Sequence, residues 1–168
     1  WENGIPYTLT NGVQYGYARS IFVSGSDVYV AGSEGGSGSS IRAKYWKNGV
    51  AVELGVAGRG SFVNSMFVSG SDFYVAGYQS AGASSAACYW KNGTVVQLTD
   101  GTKEAEAKCI FVSGSDVYVA GFERNASGFD VAKYWKNGNP VSLTNGSTNA
   151  SANSLCVSGT DVDIAGHD

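Results

Sequence analysis

Histidine is nearly absent from this sequence: His167 is the only one among 168 residues. A metal centre built on a histidine cluster is therefore excluded. Any Ser-His-Asp or Cys-His arrangement would have to use that one side chain. Charge is scarce too. Asp, Glu, Lys and Arg make up 15% of the residues, well below the roughly one quarter usual in globular domains. The net charge is -3 and no run of Lys or Arg occurs, so nothing draws the chain to nucleic acid or to an anionic membrane surface. No apolar stretch reaches the ~18 residues of a membrane-spanning helix. Cys88, Cys109 and Cys156 are an odd number without a C-x-x-C pair, and they read as small buried thiols. No GxxxxGK[ST] phosphate loop is present, and "DVDIAGHD" at the end lacks the ligand spacing of a calcium loop. No cofactor is expected.

Glycine, by contrast, is abundant at 24 residues, beside 12% aromatic and 43% hydrophobic residues. That composition suits many tight turns joining short strands in one domain. The chain also repeats itself. Tryptophans at 1, 46, 90 and 135 are spaced by 45, 44 and 45 residues. "YWKNG" stands at 45–49, 89–93 and 134–138, and "WENG" opens the chain. A second signature keeps the same period: "IFVSGSDVYVAG" from Ile21, "MFVSGSDFYVAG" from Met66, "IFVSGSDVYVAG" from Ile110, and a worn "LCVSGTDVDIAG" from Leu155.

A fixed period of this length marks a repeat architecture. Each unit reads as four strands, A to D. "SIFVS" and "DVYVA" are rich in β-branched and aromatic residues and nearly all apolar, so strands A and B should be buried on both faces. Gly25-Ser26 between them suits a type II′ hairpin turn, with glycine first. "AKYWK" is strand C, Asn48-Gly49 a type I′ turn, and "VAVEL" strand D. Asp27, Asp72, Asp116 and Asp161 follow the A–B turn, where a carboxylate can accept bonds from nearby backbone N–H groups. The tryptophans read as packing.

Antiparallel four-stranded units of this length, each covered by two neighbours, are what the blades of a β-propeller require. "SGSDVYVAG" followed by "AKYWKNG" resembles kelch-type and related bacterial β-propeller repeats, over the whole chain, with Ala-Gly where kelch repeats have a double glycine. The expected fold is one all-β domain, a four-bladed β-propeller with blades at residues 20–54, 65–98, 109–143, and 154–168 plus 1–9. Strands from both termini would close the last blade and remove the free edges. Two chains exchanging ends, each half of an eight-bladed propeller dimer, are the alternative. The last unit is worn: Cys156 replaces Phe22, Phe67 and Phe111, and Asp163 replaces Tyr29, Tyr74 and Tyr118.

Because strands alternate in direction, the invariant A–B and C–D turns share one face. The B–C and D–A connections share the other and hold nearly all the variation. A rigid scaffold with one variable face reads as a binding module. Two polar sets lie on that face. Arg19, Asn64, Lys108 and Asn153 precede the innermost strand A; Glu34, Gln79, Glu123 and Asp168 follow strand B. Tyr15, Tyr17, Phe62, Tyr78, Phe122 and Phe129 add aromatic rings. Rings beside amides and carboxylates suit carbohydrate or peptide recognition, by a monomer or an end-exchanged homodimer. An enzyme is not expected, since Gln79 interrupts the one conceivable carboxylate set of Glu34, Glu123 and Asp168. A self-assembling structural unit without a small-molecule ligand and a propeller hydrolase or lyase are the other readings. "NGT" at Asn92, "NAS" at Asn125, "NGS" at Asn145 and "NAS" at Asn149 fit a secreted or cell-surface protein.

Overall fold

The three full copies of "YWKNG" and all four copies of the second signature become hairpins. The computed structural model describes residues 3–36, 41–55 and 58–168, and these contain fourteen strands and no helix. Sheet I is β1 (Tyr15–Ser24), β2 (Asp27–Gly35), β3 (Arg42–Lys47) and β4 (Val50–Glu53). Sheet II is β5 (Ser61–Ser69), β6 (Asp72–Ala81), β7 (Ser84–Lys91) and β8 (Thr94–Gln97). Sheet III is β9 (Ala105–Ser113), β10 (Asp116–Arg124), β11 (Asp130–Lys136) and β12 (Asn139–Ser142). Sheet IV holds two strands, β13 (Ser151–Ser158) and β14 (Asp161–His167). Within each sheet the strands pair antiparallel in chain order.

Turn chemistry sets these registers. Gly25, Gly70, Gly114 and Gly159 have φ of 59 to 61°, as the first central residue of a type II′ turn requires. Asn48-Gly49, Asn92-Gly93 and Asn137-Gly138 have φ of 50 to 52° and 82 to 85°, the paired left-handed residues of type I′. Asn3-Gly4 repeats that geometry at 50° and 82°.

The two signatures are interlocked. Asp27 does not cap backbone N–H groups as the sequence suggests. Its carboxylate accepts from Asn48 Nδ2 at 2.8 Å and pairs with Lys47 Nζ at 2.7 Å. Asn48 Oδ1 in turn accepts the Val28 N–H at 2.9 Å, and the lysine lies over the Tyr29 ring at 5.2 Å. Asp72 with Lys91 and Asn92, and Asp116 with Lys136 and Asn137, repeat the arrangement. So "YWKNG" is written again and again because its lysine and asparagine clasp the aspartate of "SGSD". The asparagine also supplies the left-handed turn.

A second device recurs in strand A. The ladder skips one residue in the first strand of each sheet, between Ala18 and Ser20, Val63 and Ser65, Ala107 and Cys109, and Ala152 and Ser154. The extra residue is a β-bulge. The partner strand carries glycine there, and the reason is steric. A Cβ on Gly32, Gly77, Gly121 or Gly166 would stand 1.8 to 2.2 Å from the carbonyl oxygen of Tyr17, Phe62, Glu106 or Ser151. The glycine of each "VAG" or "IAG" is thus the space into which the bulge pushes.

The core is three apolar layers between consecutive sheets. Ala31, Ala43 and Leu54 of sheet I meet Val63, Met66, Val75 and Trp90 of sheet II. Tyr74, Ala76 and Tyr89 meet Ile110, Val119 and Trp135. Tyr118, Ala120 and Ala132 meet Ala152 and Leu155. Burial on both faces explains why strands A and B are continuously apolar. Side-chain hydroxyls tie the first strands of neighbouring sheets together: Ser20 Oγ accepts from Met66 N at 3.1 Å, and Ser65 Oγ from Ile110 N at 3.4 Å.

The expected ring closure is not seen among the described residues: sheet IV is two-stranded there, and no sheet pairs a strand from 3–10 with β13–β14. Trp1, the start of the expected shared strand, lies outside the described residues. The sequence supplies a physical reason. Rings of Phe22, Phe67 and Phe111 follow one another at 5.3 and 4.8 Å, and the next position is Cys156, exposed beside Asp163. The last hairpin lacks the rings with which the other sheets grip a following sheet.

Candidate functional site

The bulges place the first polar set. Arg19, Asn64, Lys108 and Asn153 are the four skipped residues, so one side chain per sheet is re-aimed at the same point of the first strand. Three of them are linked across sheets. Asn64 Nδ2 donates to Glu106 Oε1 at 3.1 Å and to the Ala107 carbonyl at 3.0 Å. Lys108 Nζ donates to Asn153 Oδ1 at 3.2 Å. Asn153 Nδ2 lies 3.3 Å from His167 Nδ1, and Ser151 Oγ donates to Asn153 Oδ1.

The expected rings flank this strip. Arg19 lies over Tyr17 at 5.8 Å and Lys108 over Phe122 at 5.4 Å. Phe62 and Tyr78 stack at 4.8 Å with 18° between planes. Burial raises the Tyr78 hydroxyl above its ordinary pKa, Glu106 and Glu104 raise it further, and Arg19 opposes them. Side chains from sheets I, II and III therefore share one electrostatic neighbourhood. Tyr15 and Phe129 are exposed.

The second polar set has a different role. Glu34 is held by Lys44 at 2.6 Å and Glu123 by Lys133 at 2.6 Å, each within its own sheet. In sheet II both charges are gone together: Cys88 takes the lysine position, and Gln79 accepts from Gln97 Nε2 at 3.0 Å. Gln79 is buried and its Nε2 has no partner among the described residues. These residues are cross-strand pairs inside the sheets and not a free polar ring. Asp168 is exposed and borders a small recess with His167 and Leu143.

Part of the variable face is also ladder, not loop. Tyr78–Ala81 and Ser84–Ala87 are paired strand residues, leaving a two-residue turn. Tyr15–Tyr17 belong to β1. The remaining irregular connections include residues 125–129, where Asn125 Oδ1 accepts from Ser127 N and Phe129 N. The sequon at Asn92 is consumed by its turn, since both ends of that amide are bonded.

Of the thiols, Cys88 is buried, Cys109 half-buried and Cys156 exposed, so the expectation of three buried thiols fails at Cys156. Burial pushes the Cys88 thiol well above its ordinary pKa. Among the described residues no group of His, Cys, Asp and Glu could hold a metal ion, and no helix is long and apolar enough to cross a membrane. Sequence reasoning missed Glu106, whose signal was its place one residue before the Ala107 that precedes the bulge. It also set His167 aside, although the register brings it back to Asn153. No family model and no curated protein sequence matches this chain.

Proposed function

We propose that the chain is a binding module of the β-propeller type, in which the sheets are blades and the strip of bulge residues holds a carbohydrate or peptide. The observation that carries this reading is the alignment of Arg19, Asn64, Lys108 and Asn153 at four equivalent bulges, beside Tyr17, Phe62, Tyr78 and Phe122. Aromatic faces take the apolar face of a sugar ring or a peptide side chain, while amides and charged groups fix orientation through a few placed hydrogen bonds. Sheets stacked in chain order, with inner strand bonded to inner strand, support the blade reading. The ring is then completed by strands from both ends of the chain, as four blades within one chain or as eight between two.

No reaction is assigned to the site. A carboxylate-pair hydrolase would draw on Glu34 and Glu123, and both are engaged by lysines within their own sheets. The test is a glycan and peptide array probed with the protein and with Lys108→Ala and Arg19→Ala. Retained hits that weaken at least tenfold in both variants support the strip. Hits unchanged in both, and lost instead on substituting the residues of the Gly25, Gly70 and Gly114 turns, would sink it.

A further inference from the structure

The front of sheet I is an apolar face with none of the described residues seated on most of it. Ile21 and Val23 are 63% and 60% exposed, whereas their equivalents Met66 and Val68 are 5% and 6%, and Ile110 and Val112 are 3% and 6%. Together with Tyr7, Leu9, Val30 and Trp46 they border a cavity of about 520 Å³. The repeat says what such a face takes. At each internal junction it is covered by the strands of the preceding sheet, with that sheet's fourth strand outermost. One piece is already in place: residues 5–9 align with 50–54, so Leu9 holds the position of Leu54, which is buried between sheets I and II. Missing from the cavity are the inner strands. Sheet IV is the reciprocal fragment, inner strands β13 and β14 without outer ones.

We propose that the β13–β14 hairpin of a second copy of this chain docks in this cavity and takes residues 5–9 as its outermost strand, the exchange being reciprocal so that two chains close on each other. This rests on reading the sheets as propeller blades. Polar groups match as well as shapes. Ser20 accepts from Met66 N and Ser65 from Ile110 N; the next pair in that series is Ser154 Oγ and the partner copy's Ile21 N–H. Asn64 donates to the Ala107 carbonyl. Asn153, the same residue type at the equivalent bulge, would meet the Ala18 carbonyl in the same way. The junction is weaker than the internal ones, because Cys156 and Asp163 stand where the other units have Phe and Tyr. The association is therefore reversible. A heterologous contact of this kind either closes or grows into a filament, and reciprocal docking closes at two chains.

Light scattering of the full chain over a hundredfold range of concentration tests this. The mass should rise from one chain to two. Ile21→Glu should hold it at one chain with the melting transition unchanged, since that side chain is already in water. Cys156→Phe with Asp163→Tyr should shift the midpoint to at least tenfold lower concentration. A dimer indifferent to Ile21→Glu, or growth beyond two chains, overturns the proposal. Ile21→Cys with Ser154→Cys, on a Cys156→Ser background and oxidised in air, then separates the premises. A link between two chains supports the exchange. A link within one chain overturns the second copy but keeps the blades, and no link overturns both.

Discussion

Gly77→Ala should be among the most damaging single-methyl changes this chain can take. Gly77 has no left-handed φ to lose, so the reason is purely steric. Its Cβ would lie 1.8 Å from the Phe62 carbonyl oxygen, 2.9 Å from the Phe62 carbonyl carbon and 3.1 Å from Val63 Cα. The first is well over 1 Å inside van der Waals contact, and all three are main-chain atoms in a buried ladder, so no flexible side chain can give way. The strand must either shift bodily or expel the Asn64 bulge. Expelling it flips the residues upstream to the opposite face, exchanging buried Ser61 and Val63 with Phe62. Overpacking costs about 1–3 kcal/mol, and the disturbed ladder about one hydrogen bond more, about 1 kcal/mol. A loss of about 3 kcal/mol is expected, or a fall in Tm of about 6–12 °C for a chain of this length. Gly70→Ala is the control: its φ is +60° and a Cβ there meets nothing within 4 Å. It carries only the left-handed conformational cost of about 1–2 kcal/mol. Urea unfolding followed by tryptophan fluorescence compares the two. If Gly77→Ala loses no more than Gly70→Ala, the bulge does not require glycine and the steric reasoning is wrong.

Gln79→Glu alone should destabilise by about 3 kcal/mol, because it buries a carboxylate without a cation. Adding Cys88→Lys should recover most of that loss by restoring the pair made by Glu34 and Lys44, so a double-mutant cycle by chemical denaturation that shows no coupling refutes the paired exchange. Asp27 is held below its ordinary pKa chiefly by Lys47, and Asp72 and Asp116 chiefly by Asn92 and Asn137. A depressed carboxylate contributes stability above its unfolded pKa of 3.8 that is lost as pH falls through the folded value. Melting temperature should therefore drop below about pH 4, and less steeply in the triple Asp→Asn variant. Thiol labelling at pH 8 should modify Cys156 quickly and Cys88 only in denaturant, since burial keeps Cys88 protonated and out of reach; rapid native labelling of Cys88 would contradict its place in the core.

The chain's period, its strand pairs and both turn types were legible in the sequence because they are local. Gly25-Ser26 and Asn48-Gly49 carry their φ preferences within two residues, and unbroken apolar strands announce burial on both faces without a structure. The polar strip was half legible: Arg19, Asn64, Lys108 and Asn153 could be aligned by position, but nothing local marks them as bulges. Only the ladder decides that, when β2, β6, β10 and β14 present a glycine opposite the carbonyl two residues before the skipped one. The same non-local pairing turned Glu34 and Glu123 from a polar ring into partners of Lys44 and Lys133, and joined Asp27 to Lys47 and Asn48, some twenty residues away. Sequence counts residues along one strand, whereas register brings together residues of two. Ring closure lies furthest from local information. It depends on whether the Cys156–Asp163 face can cover Ile21 and Val23, a question of shape between the two ends of the stack.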